Sequence, residues 1–200
     1  MASKKGEITR ARILEEATRV FYRKGFLATT ISDLLQATGA TKGNLYFHFA
    51  GKEALGIAVL QQEAERFLHF IDEALAVGEP VDALDHFFRM ALKHHRDTGF
   101  IGGCLFGNTA LEASDVAPRF AELVNEVFAA WIERLRPTIE AAQQSGGIRR
   151  DLPANELAEL VVASLEGAIM QSRLQKDDGP MVRTLNSLRR LLEMPNKDEF

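Results

Sequence analysis

Between Thr41 and Lys52 the chain reads TKGNLYFHFAGK. Thr41, Lys42, Asn44, Tyr46, His48 and Lys52 all carry hydrogen-bond donors, and no carboxylate lies between Leu34 and Lys52. Such a set suits recognition of a polyanion: ammonium groups neutralise phosphates, and Lys and Asn side chains can also reach base edges. Gly43 has no side chain and lets a backbone approach closely. Cys104 is a second reactive group. It follows Gly102-Gly103 at the start of a helical pattern. A helix N-terminus lowers a thiol pKa and raises its reactivity. One reading is a sensor thiol, with His94 and His95 near in space; the other is a small buried apolar residue.

The donor set needs a scaffold that presents it. Thr30 precedes a short helical segment from Ser32 to about Thr38, and Asp33 stands three residues after it, as in a capping box. Gly39 supplies a turn, and Thr41 can cap a second short helix from about Lys42 to His48. Together, Thr30–Lys52 encode a helix-turn-helix. Leu45 and Phe49 are expected in the core beneath it.

Charge is divided along the chain. Net charge is −4, yet residues 1–52 hold nine Lys/Arg against four Asp/Glu, or +5, leaving −9 on the remainder. A basic head on an acidic body is expected when one end meets a polyanion. The longest uncharged stretch, Thr98–Leu111, has 14 residues, short of the ~20 a bilayer span needs. Met1–Glu7 is polar and leads into no apolar signal core, so no secretory signal is expected. One cysteine gives neither an intrachain disulfide nor a cysteine zinc site, and His48 has no metal-ligand partner at the usual spacing. No metal, cofactor or membrane association is expected, and the location is expected to be cytoplasmic. The chain lacks Gly-x-Ser-x-Gly, a Walker loop, Gly-x-Gly-x-x-Gly and His-Glu-x-x-His, so an enzyme is not expected.

The rest of the chain reads as helix. Ile8, Ile13, Ala17, Val20 and Phe21 mark a stripe that stops at Gly25. Further helices are expected over about Lys52–Ala76, Val81–Asp97 and Cys104–Ala113. A long one runs from Pro118 to about Ser145, where Pro137 should kink or split it. Pro153 is expected to open the next helix from its first position, and the last spans about Pro180–Glu193. The stripes in Pro153–Arg173 and Pro180–Glu193 are too apolar for solvent, which predicts a four-helix interface between two copies. The tail Pro195–Phe200 is expected to fray.

The segment Ile13–Lys52, with KGNLYFHFAGKEAL, resembles the DNA-binding domain of the TetR/AcrR family of transcriptional regulators. The resemblance rests on Gly25, Thr29-Thr30, Gly39, Lys42-Gly43, Leu45-Tyr46, Phe49 and Lys52-Glu53-Ala54-Leu55. It implies an all-α protein with a three-helix helix-turn-helix head (residues 1–50) and a larger helical ligand-binding and dimerisation bundle (residues 51–200). It also implies a homodimer, through the last two helices, on double-stranded operator DNA, and release by a small-molecule inducer of unknown identity. By that resemblance Thr30, Thr41, Lys42, Gly43, Asn44, Tyr46, His48 and Lys52 fall on positions that commonly touch DNA. Gly102–Asn108 also looks like a helix start found in one branch of the family. Phe100, Cys104, Phe106, Asn108, Phe128, Trp131, Glu166 and Met170 are candidate inducer contacts. His94, Glu112 and Gln171 are further polar candidates, because a pocket is mostly apolar with a few polar groups. A helix-turn-helix protein acting structurally or through a protein partner, without an inducer, would carry the same head.

Overall fold

The computed structural model describes residues 4–195 and Phe200. Among them lie nine helices: α1 (Lys4–Lys24), α2 (Ile31–Thr38), α3 (Lys42–His48), α4 (Lys52–Leu75), α5 (Pro80–Asp97), α6 (Leu105–Ala113), α7 (Pro118–Gln144), α8 (Ala154–Gln175) and α9 (Gly179–Leu191). The all-α expectation is borne out, with no strand among the described residues. None of these helices is long and apolar enough to cross a membrane.

Two compact units form. The first joins residues 1–65 to 105–125; the second joins 66–104 to 126–200. Both are therefore discontinuous in sequence, and α6 with the first turns of α7 packs with the helix-turn-helix segment.

Within the first unit, Ile13, Leu14, Ala17 and Phe21 of α1 are buried, together with Leu34, Leu45, Phe49, Leu55 and Val59. The capping box at Thr30 forms as expected: Thr30 Oγ1 accepts from the Asp33 amide at 3.1 Å, and Asp33 Oδ2 accepts from the Thr30 amide at 2.7 Å. Lys24 at the end of α1 reaches the same carboxylate at 2.5 Å. Its ammonium, and then the Thr30 hydrogen bonds, hold Asp33 well below the usual carboxylate range, at about 2. Gly39 ends α2 in the left-handed conformation, φ 63, which a glycine adopts without strain.

The second unit has its own core. Phe87, Phe88, Trp131, Leu135, Ile139, Leu157, Val161, Leu165, Met181 and Leu185 are buried in one cluster. Asp85 of α5 and Arg189 of α9 pair inside it. Pro137 does not end α7, which runs continuously past it. One backbone bond is removed there, but fully buried Leu135 and Ile139 anchor the helix on both sides. Pro153 is the N-cap of α8 and not its first residue. Residues 196–199 of the tail lie outside the described residues. Phe200 is not frayed, for its ring lies 3.7 Å from the Arg189 guanidinium carbon.

His95, buried on α5, has a pKa pushed down to about 4, first by desolvation and then by His94 beside it. The folded state therefore holds this imidazole neutral while the unfolded chain protonates it near 6.5. Its contribution to stability is complete above pH 6.5 and is lost as pH falls towards 4, by up to roughly 3 kcal/mol. Urea unfolding at pH 7.5, 6, 5 and 4 is expected to show this slope, and His95→Gln is expected to flatten it. Parallel curves for the two proteins would refute the assignment.

Candidate nucleic-acid interface

The seven residues of α3 are held by two buried anchors. Leu45 is fully buried and Phe49, its C-cap, is 4 % exposed. Spaced four apart, they pin one face of the helix to the head and turn the other outwards. Thr41 caps the helix, its hydroxyl accepting from the Asn44 amide at 3.2 Å. Thr41, Lys42, Gly43, Asn44 and Tyr46 are exposed, and His48 is half-buried. This outward row of hydroxyl, ammonium, amide and phenol groups can donate to phosphates and read base edges.

Phe47 is a residue that sequence reasoning missed. It is 82 % exposed, with the His48 ring packed edge-on to it at 5.0 Å. The signal was present, since burying Leu45 and Phe49 forces the residue between them outwards. An exposed phenyl on this face is suited to apolar contact with a thymine methyl.

Thr30 and Lys52 are placed differently from the others. Thr30 is exposed, but its hydroxyl serves the capping box. Lys52 turns its ammonium into the head. Nζ donates to the carbonyls of Phe26 at 3.0 Å, Leu27 at 3.3 Å and Thr29 at 2.9 Å, and lies 4.6 Å from the centre of the Phe26 ring. Its charge is engaged in fixing the turn between α1 and α2.

The family now follows from the sequence itself. Residues 13–59 match the model of the bacterial regulatory proteins of the tetR family, and residues 80–188 match the tetracyclin repressor-like C-terminal domain. The chain belongs to the TetR family. TetR-family members are DNA-binding transcriptional regulators, not enzymes. Among curated relatives, the HTH-type transcriptional repressor DhaR of Mycobacterium sp. (strain GP1) is 30% identical over 174 residues, covering 86% of each chain. A TetR transcriptional regulator from Chloroflexus aurantiacus J-10-FL superposes with a TM-score of 0.87 at 32% identity, over 96% of this chain and 97% of that one. The regulatory protein TetR from Rhodobacter sphaeroides gives 0.87 at 25% identity, over 92% and 98%.

In this TetR-family chain the eight candidate inducer contacts are divided between the two units. Phe106 and Asn108 belong to the first unit; Phe100, Cys104, Phe128, Trp131, Glu166 and Met170 belong to the second. Phe106 is buried, and Asn108 borders a crevice with Phe26, Gly56 and Phe120. Phe128 stacks on Trp131 at 6.2 Å, and Phe67 meets the indole edge-on at 4.9 Å. The Cys104 thiol donates to the Glu166 carboxylate, whose pKa is nevertheless raised because burial outweighs that bond. Phe100 is buried in a left-handed conformation, φ 56, and its carbonyl accepts from Lys176 Nζ at 3.2 Å. Met170 points outwards, 57 % exposed. Glu112 is not among the second unit's residues; it reaches the turn after α1. His94 is exposed on α5, and the partial desolvation of its imidazole lowers its pKa. Gln171 is exposed on α8.

Proposed function

We propose that the chain is a homodimeric, sequence-specific repressor that acts in the cytoplasm. A small molecule bound in the C-terminal region, residues 51–200, releases it from its operator. The observation that carries the reading is the outward face of α3. Lys42, Asn44, Tyr46 and Phe47 are exposed on a helix fixed by Leu45 and Phe49. In this reading Thr41, Lys42, Gly43, Asn44, Tyr46 and His48 touch DNA, while Thr30 and Lys52 hold the elements that present them. Two heads about 34–36 Å apart would enter successive major grooves.

An inducer site in the second unit is supported by two buried polar atoms. Trp131 Nε1, a donor, and Glu166 Oε1, an acceptor, find no hydrogen-bond partner among the described residues. A buried polar group without a partner is costly, and a ligand that supplies one gains that free energy. Release requires the ligand to bind the DNA-incompetent state more tightly than the other.

The test is binding of purified protein to its own upstream DNA and to a genomic fragment pool, across a salt series and with a panel of aromatic and electrophilic ligands. Specific binding that weakens with salt and with one ligand class is expected. Lys42→Ala should weaken binding on all sequences alike and reduce the salt slope by about one. Failure to select any fragment from the pool would sink the operator reading. Selection that no ligand alters would sink the inducer.

A further inference from the structure

The turn between α1 and α2, Gly25–Thr30, sets the angle at which the helix-turn-helix leaves the rest of the head. Its backbone groups lie outside any helix and need partners. Lys52 takes three of its carbonyls from one side. Glu112, near the end of α6, takes an amide: its Oε2 accepts from Leu27 N–H at 3.2 Å. Two long side chains of opposite charge thus bond four backbone groups of one turn, three carbonyls and one amide.

The packing around this turn is tight. Gly25 adopts φ +80, and a Cβ there would lie 2.2 Å from Glu112 Oε1, so the carboxylate occupies the space that a side chain would fill. Phe26 is wedged beside it, 4.3 Å from the Phe120 ring and against Gly56, where a Cβ would lie 2.6 Å from Phe26. Glu112 and Phe120 both come from beyond residues 13–59 but pack within the same compact unit.

Resting on the operator reading above, we propose that Glu112 is a positioning residue for DNA binding. From α6 it clamps the α1–α2 turn and so fixes the orientation of α2 and α3. α6 is a helix of nine residues, and Glu112 is the last but one of them.

Charge alone predicts the opposite effect from the clamp. A carboxylate on a DNA-binding unit repels phosphate, so removing it should tighten binding if only charge acted. Loss of the clamp should weaken binding, because fewer molecules hold the head in the competent arrangement. Three full-length proteins would be compared on a fragment selected by the wild type: wild type, Glu112→Ala and Glu112→Gln. Glu112→Ala is expected to bind about tenfold more weakly, the effect of one hydrogen bond to a charged acceptor. Its salt slope should be unchanged, since no phosphate contact is lost. Glu112→Gln, which keeps an oxygen for Leu27 N–H, should recover most of the affinity. In the free proteins, Leu27 amide exchange should quicken in Glu112→Ala and return in Glu112→Gln.

Equal or tighter binding by Glu112→Ala would overturn the proposal. So would a loss matched by an equal fall in thermal stability and active fraction, which would mark Glu112 as packing alone. Unchanged Leu27 exchange would overturn it as well. That last readout needs no DNA, so failure of the clamp is distinguishable from failure of the operator reading.

Discussion

Gly167→Leu is expected to run as a monomer at micromolar concentration and to bind its operator on the order of a thousandfold more weakly. The argument begins with a stripe on α8. Leu160, Ala163, Gly167, Met170 and Leu174 recur at spacings of three and four, the spacing that a helical seam in the proposed homodimer would use. A single chain leaves Leu160 41 %, Met170 57 % and Leu174 83 % exposed, and Leu191 of α9 51 % exposed. Small residues, Ala163 and Gly167, sit between the large ones and would allow close approach of a second copy. A Cβ added at Gly167 meets nothing within 4 Å in its own chain. A leucine there should therefore leave the fold and its melting temperature nearly unchanged while obstructing the partner. Loss of the dimer converts two linked half-site contacts into one, forfeiting their effective concentration. Sedimentation and operator titration of the same sample would check both halves. A dimeric Gly167→Leu protein with normal affinity would place the interface elsewhere.

The second large effect concerns stability. Asp85 and Arg189 are both nearly buried, with the carboxylate accepting from Arg189 through one oxygen and from Arg89 Nε at 3.0 Å through the other. The Phe200 ring lies under the Arg189 guanidinium. Asp85→Ala is expected to cost about 3–5 kcal/mol, because it leaves a buried guanidinium without its carboxylate. For a chain of this size that corresponds to a melting temperature lower by about 10 °C. Arg189→Met should cost less, since Asp85 keeps Arg89 and the methionine fills part of the space. Denaturant unfolding of the two variants would rank them. Equal, small losses would mean that the pair is well solvated after all.

Much of the architecture was legible because its signals are local. The 3.6-residue stripes, the Thr30 and Thr41 caps and the glycine stop at Gly39 each act within a few residues. They gave α2 and α3 to within one residue at either end. Leu45 and Phe49 were legible as core because their spacing places them on one face. The continuity of α7 past Pro137 was not legible, because the cost of a proline is local whereas the burial of Leu135 and Ile139 depends on segments far along the chain. The charge division and the donor run from Thr41 to Lys52 pointed to a polyanion before any fold was known.

What the sequence alone determined was the kind of protein: all-helical, basic at one end, with a short helix whose donors suit a nucleic-acid duplex. Only the tertiary structure decided which of those donors are free. It turned Lys52 inwards onto the α1–α2 turn, turned Phe47 outwards, and brought Glu112 to that same turn. It also joined α6 to the head's unit, although some fifty residues separate them. Composition and periodicity report the face of a helix on which a residue lies. Which partner that face meets depends on contacts between distant segments, and those are fixed only when the whole chain packs.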